Sequence, residues 1–380
     1  MIYIELQAWE QRKLGEVVQI TMGQSPHGSN YTDNPGDYIL VQGNADLKNG
    51  RVVPRIWTKQ VTSVADVGHI IISVRAPVGD VGKTDYPVVL GRGVAGIRGN
   101  EFIYQTLLKM KLERYWREYS TGSTFKSINS NNLKKARIFV PEEFEQFKIG
   151  TFFQQLDNII ALHQRKLDTL KKMKNGFLQQ LFPKNGEKVP RVRFTGFEGE
   201  WEQRKLGDLG SVAMNRRIFK EETSDKGEIP FYKIGTFGGR ANSYIIREIF
   251  EDYKLKYPYP EKGDILISAS GSIGRTVEYN GEEAYYQDSN IVWLKHDKQL
   301  DNLFLKQFYL IVKWSGIEGS AIKRLYNKNI LETRIKVPSI DEQQKIGALF
   351  KLLDNIIALH QYKLDQLNIL KKSCLQNMFI

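Results

Sequence analysis

The stretch KIGTFFQQLDNIIALHQRKLD, residues 148–168, returns as KIGALFKLLDNIIALHQYKLD, residues 345–365, so the second copy begins 197 positions (345 minus 148) after the first. In both copies apolar residues recur at alternating spacings of three and four, the pattern of an amphipathic helix with a coiled-coil seam. The seam positions are Phe153, Leu156, Ile160, His163, Leu167 and Leu170 in the first copy and Phe350, Leu353, Ile357, His360, Leu364 and Leu367 in the second. Neither stretch contains proline, and a helix with one strongly apolar side must bury that side. We therefore predict that the two helices pack on each other as an antiparallel coiled coil.

The repeat extends beyond the helices. The heptapeptide WEQRKLG occupies 9–15 and again 201–207, and GHIIIS at 68–73 is matched by GDILIS at 263–268. Such self-similarity predicts one structural unit, a globular module followed by a long helix, that is used twice. The predicted boundaries are 1–147 for the first module, 148–185 for the central helix, 186–344 for the second module with its linker at 183–200, and 345–380 for the C-terminal helix.

Inside each module the pattern is mainly that of short strands. Runs rich in Ile, Val and Tyr, such as 38–41, 69–74 and 264–268, are separated by Gly, Asn and Pro, as expected of β-strands and turns. A helix is predicted after the strands of each module, over 102–119 and 301–315. The predicted fold class is α+β: two small mixed α/β domains, separated by the pair of long antiparallel helices and related by an internal pseudo-two-fold repeat.

Composition narrows the class of partner. The chain has 380 residues, a formal net charge of +12 and a sequence pI near 9.4, which favours a polyanion, with nucleic acid as the first candidate. A single cysteine, Cys374, excludes an internal disulfide and suits a reducing cytosol. Because the N-terminus lacks a signal-peptide pattern and no apolar run approaches the ~20 residues of a membrane helix, we predict a cytoplasmic protein with no membrane partner.

No catalytic or metal-binding constellation is evident. The segment 79–84, GDVGKT, resembles the end of a phosphate-binding loop, but Pro77 stands where the first glycine is required, and we interpret it as a strand turn. The five histidines do not cluster, and His163 and His360 are interpreted as packed seam residues rather than metal ligands. We predict that the chain is not itself an enzyme.

Basic and amide side chains in the loops suit DNA binding. Arg contacts guanine with two hydrogen bonds, Asn and Gln contact adenine, and Lys and Arg hold phosphates. The candidate DNA-binding residues are Gln42, Asn44, Arg51, Arg75, Lys83, Arg92, Lys126, Arg217, Lys233, Arg240, Arg275, Gln287, Lys323 and Arg324. Among them we assign base contacts to Gln42, Asn44, Arg240 and Gln287. The two modules share their framework and differ in these loops, as expected if each binds a different sequence.

These features resemble the specificity subunit of type I restriction–modification enzymes, over nearly the whole chain. The resemblance rests on WEQRKLG at the start of each module, on the GDILIS-type strand, and on the helix start EQ-x-KIG at 145–150 and 342–347. It implies a subunit without catalysis that reads an asymmetric, two-part target in double-stranded DNA. It further implies two methyltransferase subunits docked on the helices, with restriction and translocase subunits joining through the methyltransferase core.

The same resemblance implies that cofactors belong to the partners. S-adenosylmethionine, ATP and Mg would be bound by partner subunits and none by this chain. The seam from Phe153 to Leu181 is about 43 Å long at about 1.5 Å per residue, close to one ~34–36 Å turn of DNA. We therefore expect two recognised blocks separated by roughly 5–8 unread base pairs.

Two other functions fit part of the pattern. One is a standalone DNA-modifying enzyme with a degenerate site, which would methylate DNA without partners. The other is a coiled-coil adaptor that does not bind DNA, whose basic charge would be incidental.

Overall fold

A computed structural model describes residues 9–119, 127–184, 186–297, 299–319 and 323–379 of the protein. The chain divides into two compact units: unit 1 is Met1–Gln164 with Tyr362–Ile380, and unit 2 is Arg165–Gln361. Each unit contains one module of the repeat together with a part of both long helices. The predicted mixed α/β class, the repeated plan and the pair of long helices are confirmed.

Unit 1 contains thirteen strands among its described residues. They are β1 (Glu10–Lys13), β2 (Gln19–Met22), β3 (Tyr31–Thr32), β4 (Tyr38–Val41), β5 (Leu47–Lys48), β6 (Arg51–Val52), β7 (Trp57–Thr58), β8 (Ser63–Ala65), β9 (Ile70–Ser73), β10 (Val81–Lys83), β11 (Val88–Leu90), β12 (Val94–Arg98) and β13 (Arg137–Val140). The helices are α1 (Leu14–Val17), α2 (Glu101–Leu112), α3 (Trp116–Tyr119), α4 (Ser130–Lys135) and the start of α5 (Glu143–Gln180), with short 3-10 turns at Gly28–Asn30 and Asn44–Asp46.

Unit 2 repeats the plan with fewer strands. These are β14 (Glu202–Lys205), β15 (Gly210–Ala213), β16 (Ile229–Tyr232), β17 (Tyr244–Ile245), β18 (Ile265–Ser268), β19 (Thr276–Glu278), β20 (Tyr285–Tyr286), β21 (Ile291–His296) and β22 (Arg334–Val337). The helices are α6 (Leu206–Leu209), α7 (Arg247–Lys256), α8 (Asn302–Ile311), α9 (Asn327–Glu332) and the start of α10 (Ile340–Asn377), with a 3-10 turn at Lys220–Glu222.

The sheets of the two units correspond. Unit 1 has a six-stranded sheet in the order β2-β12-β9-β10-β6-β5 and a five-stranded sheet in the order β3-β7-β4-β11-β8. Unit 2 has a four-stranded sheet, β15-β21-β18-β19, and a three-stranded sheet, β17-β16-β20. The central strands β9 and β18 are buried along their whole length, which explains why both are runs of Ile and Leu that end in Ser.

The WEQRKLG motif has the same position in both units. Strand β1 pairs antiparallel with β13, the strand that precedes α5, and Glu10 faces Val140. Strand β14 pairs in the same way with β22, the strand that precedes α10, and Glu202 faces Val337. The motif recurs because it ties each module to the start of a long helix.

An aromatic cluster in unit 1 joins the module to both long helices. Phe102 of α2 stacks on Phe379, which follows α10, with ring centroids 5.2 Å apart, and Trp9 lies edge-on to both rings. Phe153 near the start of α5 is also 5.7 Å from Phe379. Further along, Lys371 of α10 donates to Asp157 of α5 at 2.5 Å. Within unit 1 the two helices therefore run antiparallel. Phe153 of α5 lies beside Phe379, whereas Asp157, four residues later on α5, pairs with Lys371, which comes eight residues before Phe379.

Unit 2 contains the equivalent cluster. Phe182, just after α5, stacks on Phe304 of α8 at 5.2 Å, and Trp201 lies edge-on to both rings. Lys174 of α5 donates to Asp354 of α10 at 2.5 Å. This pair repeats the Asp157–Lys371 pair of unit 1, because Asp354 lies 197 residues after Asp157 and Lys371 lies 197 residues after Lys174. In unit 1 the acid is on α5 and the lysine on α10, and in unit 2 the reverse holds. Each module is thus packed by the beginning of one long helix and the end of the other.

Burial along the predicted seam follows the heptad pattern. Phe153, Leu156, Leu167, Phe350, Leu353 and Leu364 are buried, and Ile160, His163, Leu170, Ile357, His360 and Leu367 are half-buried. In the part of the chain that the structure describes, no helix combines the length and the apolar character needed to cross a membrane.

Two predicted helices are shorter than expected. The helix predicted over 102–119 is interrupted because Arg114 takes a left-handed backbone conformation, with φ of 62°, so that α2 ends at Leu112 and α3 begins at Trp116. The helix predicted over 301–315 ends at Ile311, where Val312 is extended. The segment 79–84 contains strand β10, in agreement with its interpretation as a strand turn.

The ionic contacts between sheet and helices have opposite polarity in the two units. In unit 2 the carboxylate of Glu278, on β19, accepts hydrogen bonds from Lys306 at 3.1 Å and from Lys351 at 2.7 and 2.9 Å. At the corresponding place in unit 1, Lys83 on β10 forms an ion pair with Glu101 of α2. In each module the charged residue on this strand is therefore opposite in sign to the helix residues that it contacts.

We expect Glu278→Gln to destabilise unit 2 by about 2 kcal/mol, since hydrogen bonds to a charged group contribute about 1.5–3 kcal/mol. Burial raises the pKa of Glu278, but the hydrogen bonds from Lys351 and Lys306 outweigh it, and the net pKa lies below the ordinary glutamate value. A lowered carboxyl pKa stabilises the fold above the unfolded-state pKa, and that contribution is lost as pH falls through the folded-state pKa. Urea unfolding of the wild type should therefore show a loss below about pH 4.5 that is smaller in Glu278→Gln; equal acid sensitivity would contradict the assignment.

Candidate nucleic-acid interface

A loop anchored by a buried serine follows the central strand of unit 2. Ser268 ends β18, and its hydroxyl donates to the carbonyl of Ser272 and accepts from the backbone N–H of Arg275 at 2.9 Å. Gly274 closes the loop with φ of 84°, and a Cβ there would lie 2.9 Å from Nε1 of Trp314. The loop 269–275 is therefore fixed in shape by one serine and one glycine while its outer residues stay exposed.

Unit 1 has the same loop with different side chains. Ser73 ends β9, its hydroxyl donates to the carbonyl of Pro77 at 2.8 Å, and it accepts from the N–H of Asp80 at 2.8 Å. Gly79 has φ of 84°, and a Cβ there would lie 2.5 Å from Trp116. The hydrogen bonds that anchor the loop are common to both units, whereas its exposed residues are Arg75, Ala76 and Pro77 in one and Gly271, Ser272 and Arg275 in the other.

Around the loop of unit 2 the fold gathers five of the predicted residues. Arg275 donates to the carbonyl of Phe237 at 2.9 Å, and the side chain of Gln287 accepts from the N–H of Ile234 at 2.9 Å. These bonds hold the 233–238 turn against the loop. On the opposite side, the N–H of Gly271 donates to the carbonyl of Lys323 at 3.0 Å. The gathered residues are Lys233, Arg275, Gln287, Lys323 and Arg324.

In unit 1 the corresponding loop lies beside Gln42 and Arg92. The N–H of Val74 donates to the carbonyl of Gly93, and a Cβ on Gly93 would meet the carbonyl of Gln42 at 1.9 Å. Arg92 therefore projects from a turn that packs directly on Gln42, with Asn44 two residues further along the chain. Arg75 forms an isolated bridge with Ser127 on the other side of the loop. The structure brings Gln42, Arg75 and Arg92 together, and Asn44 follows Gln42 in the 3-10 turn Asn44–Asp46.

The basic side chains at these loops have no ion-pair partner in the part of the chain that the structure describes. Among the described residues, no carboxylate lies within 4.0 Å of the charged groups of the following residues: Arg75, Arg92, Lys233, Lys323 and Arg324. Ion pairs of that length are common elsewhere on the surface, for example between Arg247 and Glu283. Lys233 is half-buried over the ring of Phe231, and the other four are exposed. Exposed cations without a carboxylate partner retain their attraction for phosphate groups.

The remaining predicted residues lie elsewhere or are already engaged. Arg51 pairs with Asp85 at 2.8 Å, and Lys83 is held by Glu101 with its side chain 15% exposed. The guanidinium of Arg217 lies over the ring of Phe219, away from the loop in sequence and in contacts. Arg240 is exposed after the 233–238 turn. Lys126 lies outside the described residues, and for all of these DNA contact stays a prediction.

Several residues of this region were not identified from the sequence. Ser73 and Ser268 set the loop shape, Trp116 and Trp314 pack beneath its glycine, and Asn290 lies 2.7 Å from the Ser270 hydroxyl. A signal for the first pair was present, because Ser and Gly recur six residues apart at 73 and 79 and again at 268 and 274. No pattern in the sequence connected the tryptophans to those glycines.

Two shallow cavities flank the loop of unit 2. One, of about 320 Å³, is lined by Gly235, Ser272 and Arg275. The other, of about 360 Å³, is lined by Ser289, Arg324, Tyr326 and Lys328. Both place hydroxyl, backbone and cationic groups beside apolar side chains, and the polar groups suit the phosphates and base edges of DNA. No group of three or more His, Cys, Asp or Glu residues placed to hold a metal is found among the described residues.

Ser268→Ala should weaken DNA binding about 10-fold without unfolding the protein. The substitution removes two hydrogen bonds, each contributing about 1 kcal/mol, that hold the loop but do not touch DNA. As a positioning residue, Ser268 should be rescued in part by Ser268→Thr, which keeps the hydroxyl. Fluorescence anisotropy with specific and scrambled duplexes tests this, and a loss confined to the specific duplex is expected. An equal loss on both duplexes would mean that the loop contributes only charge.

Comparison with protein families gives one family model. The model described as "Type I restriction modification DNA specificity domain" matches the chain twice, over residues 7–172 and 198–368. The two matches correspond to the two copies of the repeat and together cover most of the chain.

Comparison with individual proteins agrees. A specificity subunit of a type I restriction enzyme from Haemophilus influenzae is 52% identical over 157 residues, which are 40% of this chain and 41% of that protein. The MjaX specificity subunit of Methanocaldococcus jannaschii is 32% identical over 46% of this chain and 42% of its own length. These two matches thus span about two fifths of each relative. The MjaIX specificity subunit of the same organism is 28% identical over 96% of this chain and 90% of its own length.

Among solved structures, a type I restriction–modification S subunit from Mycoplasma genitalium has a similar fold. The TM-score is 0.70 at 17% sequence identity, and the alignment covers 100% of this chain and 98% of that one.

Proposed function

The chain belongs to the type I restriction modification DNA specificity family, and from that premise we propose that each of its units recognises one half of a two-part, asymmetric target in double-stranded DNA. The observation that carries the proposal is the serine-anchored loop, which is held by the same pair of serine hydrogen bonds in both units. In both units the loop lies beside cations that have no carboxylate partner among the described residues. Shared geometry places each loop at the same point of its unit, and the different exposed side chains account for a different sequence in each half.

We propose that partner subunits supply the chemistry. In this scheme the chain has no catalytic residues and binds no cofactor. Methyltransferase subunits bind S-adenosylmethionine, and restriction and translocase subunits, joined through the methyltransferase core, use ATP and Mg. A solved structure with a TM-score of 0.54 and 17% identity comes from work on complex assembly in the type I restriction–modification system. The test is a methylation assay with S-adenosylmethionine, in which the isolated chain should be inactive and the mixture with methyltransferase active.

The long helices offer repeated apolar positions for two methyltransferase subunits. Leu162 and Leu359, which are 197 residues apart, are 45% and 51% exposed, and Met173 and Leu370, also 197 apart, are 43% and 49% exposed. Side chains of this kind on a helix surface are typical of protein interfaces. The occurrence of these exposed apolar positions in both copies of the helix supports two copies of one partner.

Mapping of methylated bases in DNA from cells that carry the chain and its methyltransferase tests the divided target. We expect two blocks of a few base pairs separated by roughly 5–8 unread ones. Replacement of residues 206–337 by the same segment of a related subunit should change one block only. A single continuous motif, or a change in both blocks, would contradict the proposal.

Shortening both helices by one heptad should shorten the unread gap. Deletion of 160–166 together with 357–363 keeps the seam in register and removes about 10 Å at about 1.5 Å per residue, or about three base pairs at about 3.4 Å each. The measurement is the methylated motif. An unchanged gap with retained methylation would reject the idea that helix length sets the spacing.

A further inference from the structure

A five-residue turn follows the central strand of the smaller sheet in each unit. In unit 1 the turn is residues 42–46, after β4, and in unit 2 it is residues 233–237, after β16. The two turns are counterparts, because β4 pairs parallel with β11 and β16 pairs parallel with β20 at the same place in each sheet. The first turn contains Gln42 and Asn44, two of the predicted base contacts.

One buried carboxylate holds the turn of unit 1. Asp46 is 5% exposed, and its Oδ2 accepts hydrogen bonds from the backbone N–H of Gln42 at 2.7 Å and of Gly43 at 3.2 Å. The backbone carbonyl of Asp46 accepts from the N–H of Val53 at 2.8 Å, and its Oδ1 lies 3.5 Å from Nη1 of Arg55. A buried carboxylate destabilises a fold unless such donors surround it. Asp46 therefore fixes the turn from its inner side.

Unit 2 holds the same two backbone N–H groups with other side chains. The hydroxyl of Thr236 accepts from the N–H of Lys233, the first residue of the turn, at 3.1 Å. The side-chain oxygen of Gln287 accepts from the N–H of Ile234, the second residue, at 2.9 Å. The last residue of the turn is Phe237, whose ring is buried in the core. Equivalent N–H groups are thus held by one acid in unit 1 and by two neutral side chains in unit 2.

Both turns lie at the proposed interface with DNA. Ile234 lines the cavity of about 320 Å³ beside the serine-anchored loop, together with Arg275. In unit 1 a Cβ on Gly93 would meet the carbonyl of Gln42 at 1.9 Å, so the turn packs on the segment that carries Arg92. A displacement of either turn would therefore move groups of the interface itself.

Charge and burial argue against a direct contact between Asp46 and DNA. A carboxylate repels phosphate, and both oxygens of Asp46 already accept hydrogen bonds within the chain. The residue is buried, and its ion pair with Arg55 offsets its charge. Asp46 can therefore influence recognition only through the backbone of the turn.

We propose that Asp46 in unit 1 and Thr236 in unit 2 are positioning residues for DNA recognition, each fixing the turn that presents its neighbours to one half of the target. The inference rests on the proposed function and adds to it the residues that set the geometry of each half. Because each of these two side chains belongs to the turn that it holds, recognition by one unit can be disturbed without changing the other.

A crossed comparison of two variants of the full chain tests the inference. Three duplexes are used: the mapped target, a copy altered in the block of unit 1, and a copy altered in the block of unit 2, which is the block that changes when residues 206–337 are replaced. Asp46→Ala frees two N–H groups from a charged acceptor, so it should reduce discrimination in the block of unit 1 about 10- to 100-fold and leave the other block unchanged. Thr236→Val removes one neutral acceptor and should reduce discrimination in the block of unit 2 alone, by about 3- to 10-fold.

Conservative variants separate the position of the oxygen from charge and from general stability. Asp46→Asn keeps an acceptor beside the two N–H groups and should retain discrimination within about threefold of wild type. Thr236→Ser, which keeps the hydroxyl, should do the same in unit 2. Fluorescence anisotropy gives the affinities, and urea unfolding reports the folded fraction. A loss of folded protein lowers binding to all three duplexes alike and leaves their ratios unchanged, so the ratios report positioning.

Failure of the inference is distinguishable from failure of the function. Equal binding of all three duplexes by wild type would overturn both. Discrimination lost in both blocks, or in neither, in Asp46→Ala and Thr236→Val would overturn the inference alone. Equal losses in Asp46→Ala and Asp46→Asn would also overturn it, because charge rather than the held N–H groups would then matter. Should Asp46→Ala not fold, Thr236→Val against Thr236→Ser decides by the same criterion.

Discussion

Phe304→Ala should destabilise unit 2 by about 3–5 kcal/mol, the range found when a fully buried Phe is truncated. Phe304 is 0% exposed and stacks on Phe182 at 5.2 Å, with Trp201 at 5.8 Å. These rings join the end of α5, the WEQRKLG motif and α8, so truncation leaves a cavity where three separate segments meet. Denaturation in urea, followed by tryptophan fluorescence, measures the loss.

Phe219→Ala is the matched control, because Phe219 lies in the same module and is 52% exposed. It should cost less than about 0.5 kcal/mol, as is usual for surface substitutions. The repeat supplies a second check, since Phe102→Ala removes the equivalent ring from the cluster of unit 1 and should cost a similar amount. A loss below about 1 kcal/mol for Phe304→Ala would mean that the aromatic cluster does not join the module to the helices.

Removing the charges of Lys323 and Arg324 together, as Lys323→Gln with Arg324→Gln, should weaken binding to the specific duplex about 100-fold. Charge-assisted hydrogen bonds contribute about 1.5–3 kcal/mol each, and these two side chains have no carboxylate partner among the described residues. Because each lost phosphate contact also reduces counterion release, the slope of log affinity against log salt should fall by about two. Anisotropy titrations at several salt concentrations measure both quantities.

The control removes the same charge from the same module. Arg247 is held by Glu228 and Glu283, and Lys256 by Asp252, so Arg247→Gln with Lys256→Gln also loses two cations, but ones already paired. It should leave the affinity within about threefold and the salt slope nearly unchanged. If both double variants weakened binding equally, net charge rather than the loop region would explain the affinity.

Much of the fold was predictable because local patterns report local structure. The heptad spacing predicted both long helices, and runs such as 38–41 and 264–268 predicted strands that exist as β4 and β18. The interruption at Arg114 was not predictable, since an isolated left-handed residue leaves no trace in periodicity. Of the proposed interface, the types of side chain were predicted, but their neighbours were not. Arg51 and Arg75 look alike in sequence, and only their tertiary contacts separate an arginine paired with Asp85 from one without a carboxylate partner in the described chain.

By itself, the sequence determined that the protein is one unit used twice, with two long amphipathic helices and a basic surface, because repeats, periodicity and charge are properties of the chain alone. Tertiary structure decided how the copies are assembled: Phe379 completes unit 1, and Phe182 completes unit 2. The physical reason is that burial and hydrogen-bond satisfaction depend on which residues meet in space, and residues some 200 positions apart meet only after folding.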